Sequence, residues 1–185
     1  MRSVLPLLLA VCLCACGTER ATAPREYLDE RTAATITVVK HPWIFTRGSV
    51  RQGTSQHREF LHLYAIDVNR MGQHEQYIAA LQSHGTDDTV GASIPPTLEL
   101  ESGDWLVSFR ASTVEPKALG IAQPVAEAYA LDAKWWYFPV DKQVLATIVN
   151  SANLEAALVW PSERAVYTLW RDGREALSEL TAVLP

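Results

Sequence analysis

The sequence predicts a mainly β domain, an antiparallel β-sandwich or half-open barrel with two short helices, the last at the C-terminus. Segments rich in β-branched and aromatic residues follow one another through residues 33–185. The links between neighbouring segments are short, which favours antiparallel pairing because parallel strands need a long crossover. No strand–helix–strand unit repeats, so a doubly wound parallel sheet is excluded.

The first strands lead into the clearest hairpin of the chain. Residues 35–39 are almost entirely β-branched, and His41-Pro42 separates them from a second short strand at Trp43–Phe45. Residues 60–68 then alternate, with His62, Tyr64, Ile66 and Val68 predicted on one face. A turn at Asn69–Gly72, where glycine permits a positive φ, returns the chain through residues 73–82.

The middle of the domain is predicted as further strand. Residues 97–101 and 105–109 form a second hairpin about Ser102–Asp104. Val125–Leu131 alternates large and small residues, which predicts a strand, although its alanines leave a helix open. Residues 135–140 continue as strand.

Both helices are predicted in the last third of the chain. Asp141 is a good N-cap, and apolar residues recur at helical spacing from there to Asn150. A third hairpin pairs residues 154–160 with residues 165–170. The C-terminal helix is marked by Ala176, Leu177, Leu180 and Val183. The total is eight to ten strands and two helices.

Residues 1–15 have the features of a bacterial lipoprotein signal peptide. About ten apolar residues follow Arg2, which is signal length and too short for a membrane span. The run Leu13-Cys14-Ala15-Cys16-Gly17 resembles a lipobox, in which the cysteine receives diacylglycerol and the chain is cut before it. This predicts lipidation of Cys16, the alternative being an ordinary signal peptide cleaved nearby.

Three regions follow from that cleavage: the signal peptide at 1–15, the lipidated cysteine with a flexible tether at 16–32, and a single globular domain at 33–185. As flexible coil, the tether spans roughly 20–24 Å. Cys16 is the last of the three cysteines, so the domain has no disulfide. Cleavage removes one arginine and no acid, which changes the formal net charge from −5 to −6 and argues against nucleic acid as a partner.

The histidines and candidate nucleophiles predict no metal site, no cofactor and no catalytic residue. His74-Glu75 lacks the second histidine of the helical zinc-protease motif, and His57 and His62 fall on opposite faces of a strand. His62 and His74 can approach each other across the first hairpin as a packing pair. Residues 83–88 combine Ser, His and Asp in one polar loop, whereas triad members normally converge from distant segments.

Two features are candidate binding sites. The segment from Lys40 to Arg58 carries no acid, and its guanidinium groups can bind phosphate or carboxylate; we expect residues 47–55 to form a flexible loop. Trp135 and Trp136 are adjacent strand residues, so one indole faces outward unless a helix covers it. The candidate binding residues are therefore Trp135, Trp136, Arg47, Arg51 and Arg58; a solvated loop and a covered indole are the alternatives.

Residues 25–35 (REYLDERTAAT) and 68–72 (VNRMG) resemble a group of short proteobacterial lipoproteins of uncharacterised function. The resemblance implies a Gram-negative envelope, and Gly17 after the cysteine implies an outer-membrane anchor facing the periplasm. It implies no activity and no functional residues.

The expected function is therefore a lipid-anchored, non-catalytic envelope domain that binds a protein, glycan or lipid partner or supports an assembly. The membrane is itself a partner through the lipid on Cys16. The alternative is an envelope hydrolase whose site assembles only in the fold.

Overall fold

The computed structural model describes residues 21–52, 55–83, 94–103, 105–128 and 133–185, with side chains omitted for residues 49–57. Within these ranges it has ten strands and two helices. The strands are β1 (Arg25–Asp29), β2 (Ala34–Val38), β3 (Trp43–Gln52), β4 (Ser55–Arg70), β5 (Gln73–Ser83), β6 (Thr97–Ser102), β7 (Trp105–Arg110), β8 (Lys134–Pro139), β9 (Glu155–Trp160) and β10 (Glu163–Arg171). The helices are α1 (Lys142–Val149) and α2 (Arg174–Val183).

All strand pairs are antiparallel and form one curved sheet. The order is β1-β2-β4-β3-β10-β9-β6-β7, and β5 joins β4 to β8. The sheet curves so that its two ends approach each other. The backbone N–H of Ser112, just after β7, donates to the Tyr137 carbonyl of β8 at 2.7 Å. Among the described residues, no strand ladder joins β7 to β8. The predicted mainly β fold is confirmed, and it takes the form of a half-open barrel.

The inner face of the barrel is a continuous apolar core. The strand registers place the inward residues of successive strands side by side, for example Leu61 opposite Phe45 and Ile78 opposite Phe138. Burial of these side chains is the main stabilising term of the fold. The largest inward core side chains are Trp43, Phe45, Leu61, Leu63, Ile78, Leu98, Leu100, Phe138 and Tyr167.

Both helices close one end of the barrel. Their apolar faces are buried through Leu145, Ile148 and Leu180, among others. Trp105 at the start of β7 donates its indole N–H to the Ser151 hydroxyl, just after α1, at 3.0 Å. We call this the helical end, and the opposite end, where β5 finishes and β8 begins, the far end.

A segment without regular structure, residues 111–128, covers the outer face of β1, β2 and the C-terminal part of β4. The buried carboxylate of Asp29 accepts the backbone N–H groups of Ala122 and Gln123 at 2.6 and 3.2 Å. The Thr32 hydroxyl donates to the Gly120 carbonyl at 2.8 Å. This cover explains why Val68 is buried although it faces outward.

The three predicted hairpins and both helices are present. Residues 60–68 and 73–82 lie within β4 and β5, and the other two hairpins are β6–β7 and β9–β10. Asp141 occupies the N-cap position of α1 with extended backbone dihedrals.

The predicted tether over residues 16–32 is wrong in its second half. Residues 25–29 form β1 and pair with β2, from Arg25 opposite Val38 to Asp29 opposite Ala34. The strand lacks apolar alternation, and its order comes from this pairing and from the hydrogen bonds of Asp29. Only residues 17–24 therefore separate Cys16 from the sheet.

Two other expectations are also wrong. The strand predicted over Val125–Leu131 is absent from residues 125–128, which belong to the cover segment; residues 129–131 lie outside the described residues. The flexible loop predicted at residues 47–55 is mostly strand, because the backbone of β3 runs on to Gln52 and pairs with β4. A register shift after Arg47 absorbs the irregularity at Gly48.

Gly120 is required where the cover segment meets the sheet. Its φ is +90°, and an added Cβ would lie 2.8 Å from Val68 Cγ1. We expect Gly120→Ala to lower the free energy of unfolding by about 2–4 kcal/mol, because it combines backbone strain with a clash against a buried side chain.

The matched control is Gly103→Ala. Gly103 also has a positive φ, of +57°, but an added Cβ there meets nothing within 4 Å. We expect Gly103→Ala to lower the free energy of unfolding by about 1 kcal/mol, from backbone strain alone. Urea denaturation, monitored by tryptophan fluorescence, measures the free energy of unfolding of both variants. An equal decrease in the two would contradict the close packing at Gly120.

Candidate functional site

A row of aromatic rings lies on the outer face of the barrel. Phe60, His62 and Tyr64 alternate outward along β4, with centroid distances of 6.4 and 6.5 Å between successive rings. Tyr64 contacts Trp135 of β8 at 5.7 Å, although β5 lies between their strands. The rings meet over β5 because the residue beside Tyr64 is the small Ala79.

An arginine at the end of this row contacts one further aromatic ring, on strand β10. The guanidinium of Arg58 lies 5.0 Å from the ring centroid of Trp170 on β10, within the range of a cation–π contact. Trp170 is 59% exposed and sits at the register shift between Leu169 and Arg171, which turns it outward. Much of the Trp170 indole therefore remains accessible to solvent, although Arg58 stacks on it.

We call these outward side chains the outer patch: Arg58, Phe60, His62, Trp135, Trp170 and Arg171. Burial, followed by the charge of Arg171, lowers the pKa of His62, so this imidazole is neutral at pH 7. The positive charge of the patch therefore comes from its two arginines. The neighbouring outward positions on β3, β5 and β10 hold no acid; they are Ile44, Thr46, Leu81, Ser83, Val166 and Thr168. The nearest outward acid is Glu155 on β9, which lies opposite Thr168.

Inside the barrel, the far end contains a polar chain. Arg47 donates to Glu163 at 2.9 Å and lies 3.8 Å from Glu59. The buried Tyr167 hydroxyl donates to Glu59 at 3.4 Å and accepts from the Gln82 amide at 3.1 Å. Burial and the nearby Glu59 charge raise the pKa of Tyr167, which stays protonated.

This chain changes the interpretation of Arg47. Its burial would lower the guanidinium pKa, but the two carboxylates raise it overall. With two carboxylates beside it, Arg47 is already neutralised and does not offer a free cation to an anionic ligand. The prediction of Arg47 as a binding residue is therefore not supported by its contacts.

The two adjacent tryptophans do face opposite ways. Trp135 lies in the outer patch, half-buried against Tyr64 and stacked on Tyr137 at 6.3 Å, and not under a helix. Trp136 lies opposite Ala80 and points inward. Its indole N–H and the Gln82 side-chain oxygen are buried without a hydrogen-bond partner among the residues described.

Of the predicted binding residues, the structure thus brings Arg58 and Trp135 onto one face and separates Arg47 and Trp136 from them. The side chain of Arg51 and all of Cys16 lie outside the described residues. Sequence reasoning missed Phe60, His62, Trp170 and Arg171 as members of the patch. The alternation of β4 already placed His62 outward, but the position of Trp170 depends on a register shift.

A carboxylate–imidazole pair occurs at the other end of β4 and β5. His74 Nδ1 lies 2.8 Å from Asp67, which also accepts from the Gln76 amide at 2.7 Å. Ser83 is nine residues further along β5, about 30 Å away, and His84 lies outside the described residues. The predicted approach of His62 to His74 is wrong, since His62 lies opposite Leu81 and His74 opposite Asn69.

No three His, Cys, Asp or Glu side chains within the described ranges are placed to hold a metal ion together. In the same part of the chain, neither helix has the length and apolar character needed to cross a bilayer.

Comparisons with models of known protein families, with curated proteins and with solved structures found no match to this chain.

Proposed function

We propose that this chain is a lipid-anchored bacterial envelope lipoprotein whose barrel is a non-catalytic binding domain. The lipid on Cys16 holds it at the outer membrane, facing the periplasm, and the outer patch binds an anionic glycan of the envelope. The observation that carries the binding proposal is the outer patch: partly exposed aromatic rings beside two arginines, with no acid at the neighbouring outward positions of β3, β5 and β10.

Both halves of the patch fit that ligand class. The C–H faces of a sugar ring are apolar and pack on aromatic side chains, whose rigid rings bind at little entropic cost. Carboxylate or phosphate groups on the glycan pair with Arg58 and Arg171, because guanidinium forms charge-assisted hydrogen bonds with both.

The position of the patch relative to the anchor also supports the proposal. The tether enters the sheet at Arg25, which lies opposite Val38, and Val38 in turn lies opposite Ile66. We take this row of paired residues as the attachment point. Phe60 lies six residues from Ile66 along β4, or about 20 Å. His62, the patch residue of β4 nearest to that row, lies four residues from Ile66, so the patch begins about 13 Å from the attachment point, towards the far end of the barrel.

The binding proposal is tested with the purified mature protein and two polysaccharides: sonicated soluble peptidoglycan, which carries carboxylates, and neutral dextran. We expect saturable binding of the peptidoglycan only. Trp170→Ala should weaken it at least tenfold and Arg58→Ala about fivefold, since such central anchors carry most of the affinity. Isothermal titration calorimetry measures each affinity.

The matched control is Val166→Ala, on the same strand and outer face, with the valine 40% exposed. It should bind like the unchanged protein. Equal affinities for Trp170→Ala and Val166→Ala, or equal binding of dextran, would contradict the assignment of the patch to an anionic glycan.

A further inference from the structure

Three turns meet at the end of the β4–β5 hairpin, and we call this region the apex. They are residues 30–33 between β1 and β2, the hairpin turn Met71–Gly72, and residues 115–120 of the cover segment. Hydrogen bonds join them, from Thr32 to Gly120 at 2.8 Å and from Arg70 to the Ala118 carbonyl at 3.1 Å. The apex is therefore a single built surface at the opposite end of β4 from the outer patch.

Met71 is an unusual residue for its position in the apex. It has a positive φ of 55°, a conformation that Asn, Asp or Gly adopts at lower cost in a two-residue hairpin turn. Its side chain is completely exposed, with a relative accessibility of 102%. The protein thus places a large apolar side chain where it costs backbone strain and contributes no internal packing.

Leu28 is a second exposed apolar side chain nearby. It is 60% exposed on β1, the edge strand that follows the tether. Leu28 lies in the same row as Thr35 and Asn69, about 10 Å from the hairpin strand across two strand spacings. Exposed apolar residues grouped on one end of a molecule mark an interaction surface.

The short tether identifies what that surface meets. Residues 21–24 form a turn and a bend directly before β1, and the five residue steps from there back to Cys16 span at most about 17–18 Å when fully extended. Met71 lies five residues beyond Ile66 on the hairpin, or about 17 Å from the row in which the tether enters. The tether is thus long enough for the apex to touch a bilayer that holds the lipid of Cys16.

We propose that Met71 and Leu28 contact the phospholipid surface into which the Cys16 lipid inserts, and so orient the domain with its outer patch directed away from the bilayer. This inference rests on the proposed lipid anchor. Because the tether keeps the apex at high local concentration beside the bilayer, two apolar side chains suffice to set an orientation. Within the three turns, Glu30 and Glu115 balance Arg31 and Lys117, and Arg70 beside the hairpin turn pairs with Glu75 at 2.8 Å. The contact is therefore apolar and insensitive to salt.

The absence of cysteine after Cys16 permits a direct test. In the acylated mature protein, Met71→Cys introduces the only free thiol, which is labelled with an environment-sensitive fluorophore. The protein is reconstituted into phosphatidylcholine vesicles, with and without nitroxide-labelled lipid. We expect blue-shifted emission and at least about twofold stronger nitroxide quenching than at a control position, since interfacial groups sit at the headgroup–acyl boundary.

The control is Ser162→Cys, an exposed position in the β9–β10 turn at the far end. A second variant, Leu28→Cys with Met71→Asp, should lose the blue shift that Leu28→Cys shows alone. Vesicle-bound protein in which the labels at 71 and 162 behave alike would overturn the inference while leaving the anchor intact. Protein that carries no acyl group by mass, or does not float with vesicles, would overturn the anchor as well.

Discussion

The Cys16→Ser variant should accumulate as an uncleaved precursor without an acyl group. We propose that the run Leu13–Gly17 is a lipobox, in which the cysteine sulfur receives the lipid and the peptidase cuts only the lipidated chain. Serine has no thiol, so both steps should stop. Metabolic labelling with an alkyne fatty acid, followed by intact mass measurement, detects the two losses separately.

The control for this prediction is built into the signal peptide. Cys14→Ser changes a neighbouring cysteine to a residue that is more usual at that position of a lipobox, so it should be acylated and cleaved normally. Normal maturation of Cys16→Ser would refute the lipoprotein assignment. Loss of maturation in both variants would show that Cys16 has no special role.

Replacing Asp29 by alanine should lower the free energy of unfolding by about 3–5 kcal/mol. The buried carboxylate accepts backbone N–H groups from Arg31, Ala122 and Gln123 at 3.0, 2.6 and 3.2 Å. Alanine leaves these donors without their acceptor, and each buried group that loses a charged partner costs on the order of 1–3 kcal/mol. The cover segment should detach from β1 first.

The pH dependence of stability gives a second readout for Asp29. Burial alone would raise its pKa, but the backbone hydrogen bonds lower it overall, below the ordinary aspartate value. A carboxylate with a depressed folded pKa stabilises the fold fully above its unfolded pKa of about 4, and this contribution is lost as the pH falls through the folded value. Asp29→Ala should therefore remove part of the acid sensitivity.

Glu26→Ala is the matched control, since Glu26 is exposed on the same strand. It should change stability by less than about 0.5 kcal/mol. Urea denaturation at pH 7 and at about pH 2.5, which is below the unfolded pKa of aspartate, measures all three proteins. Asp29→Ala unfolding at the same urea concentration as Glu26→Ala would contradict the role of Asp29 in holding the cover segment.

The sequence predicts those parts of the fold that local patterns determine. The β4–β5 hairpin follows from the alternation of residues 60–68 and from Gly72, and α2 follows from the spacing of its buried leucines. β1 was missed because its partners are remote: Asp29 is held by residues 93 and 94 positions away. Local composition alone makes Arg25–Asp29 resemble a solvated tether.

The candidate site was predicted only in part, for the same physical reason. Strand alternation is enough to separate Trp135 from Trp136. The neutralisation of Arg47 depends on Glu163, which is 116 residues away in the chain. The exposure of Trp170 depends on a register shift in β10, which no residue of that strand signals by its type.

We propose that the two ends of the β4–β5 hairpin have different surroundings. The apex and the tether are proposed to lie towards the bilayer, and the outer patch begins about 13 Å along β4 from the row in which the tether enters the sheet. A binding domain anchored in this way samples the layer of the envelope next to its membrane. The anchor thereby concentrates the domain beside its ligand, which compensates for modest intrinsic affinity.

The most direct measurement is site-specific photocrosslinking in intact cells. A photoreactive amino acid is placed at position 170, in the outer patch, or at position 166, on the same strand and face. We expect a high-mass adduct from position 170 that peptidoglycan-degrading enzyme removes, and little adduct from position 166. Equal yields from the two positions, or an adduct that resists the enzyme, would contradict the assignment of the outer patch to an anionic envelope glycan.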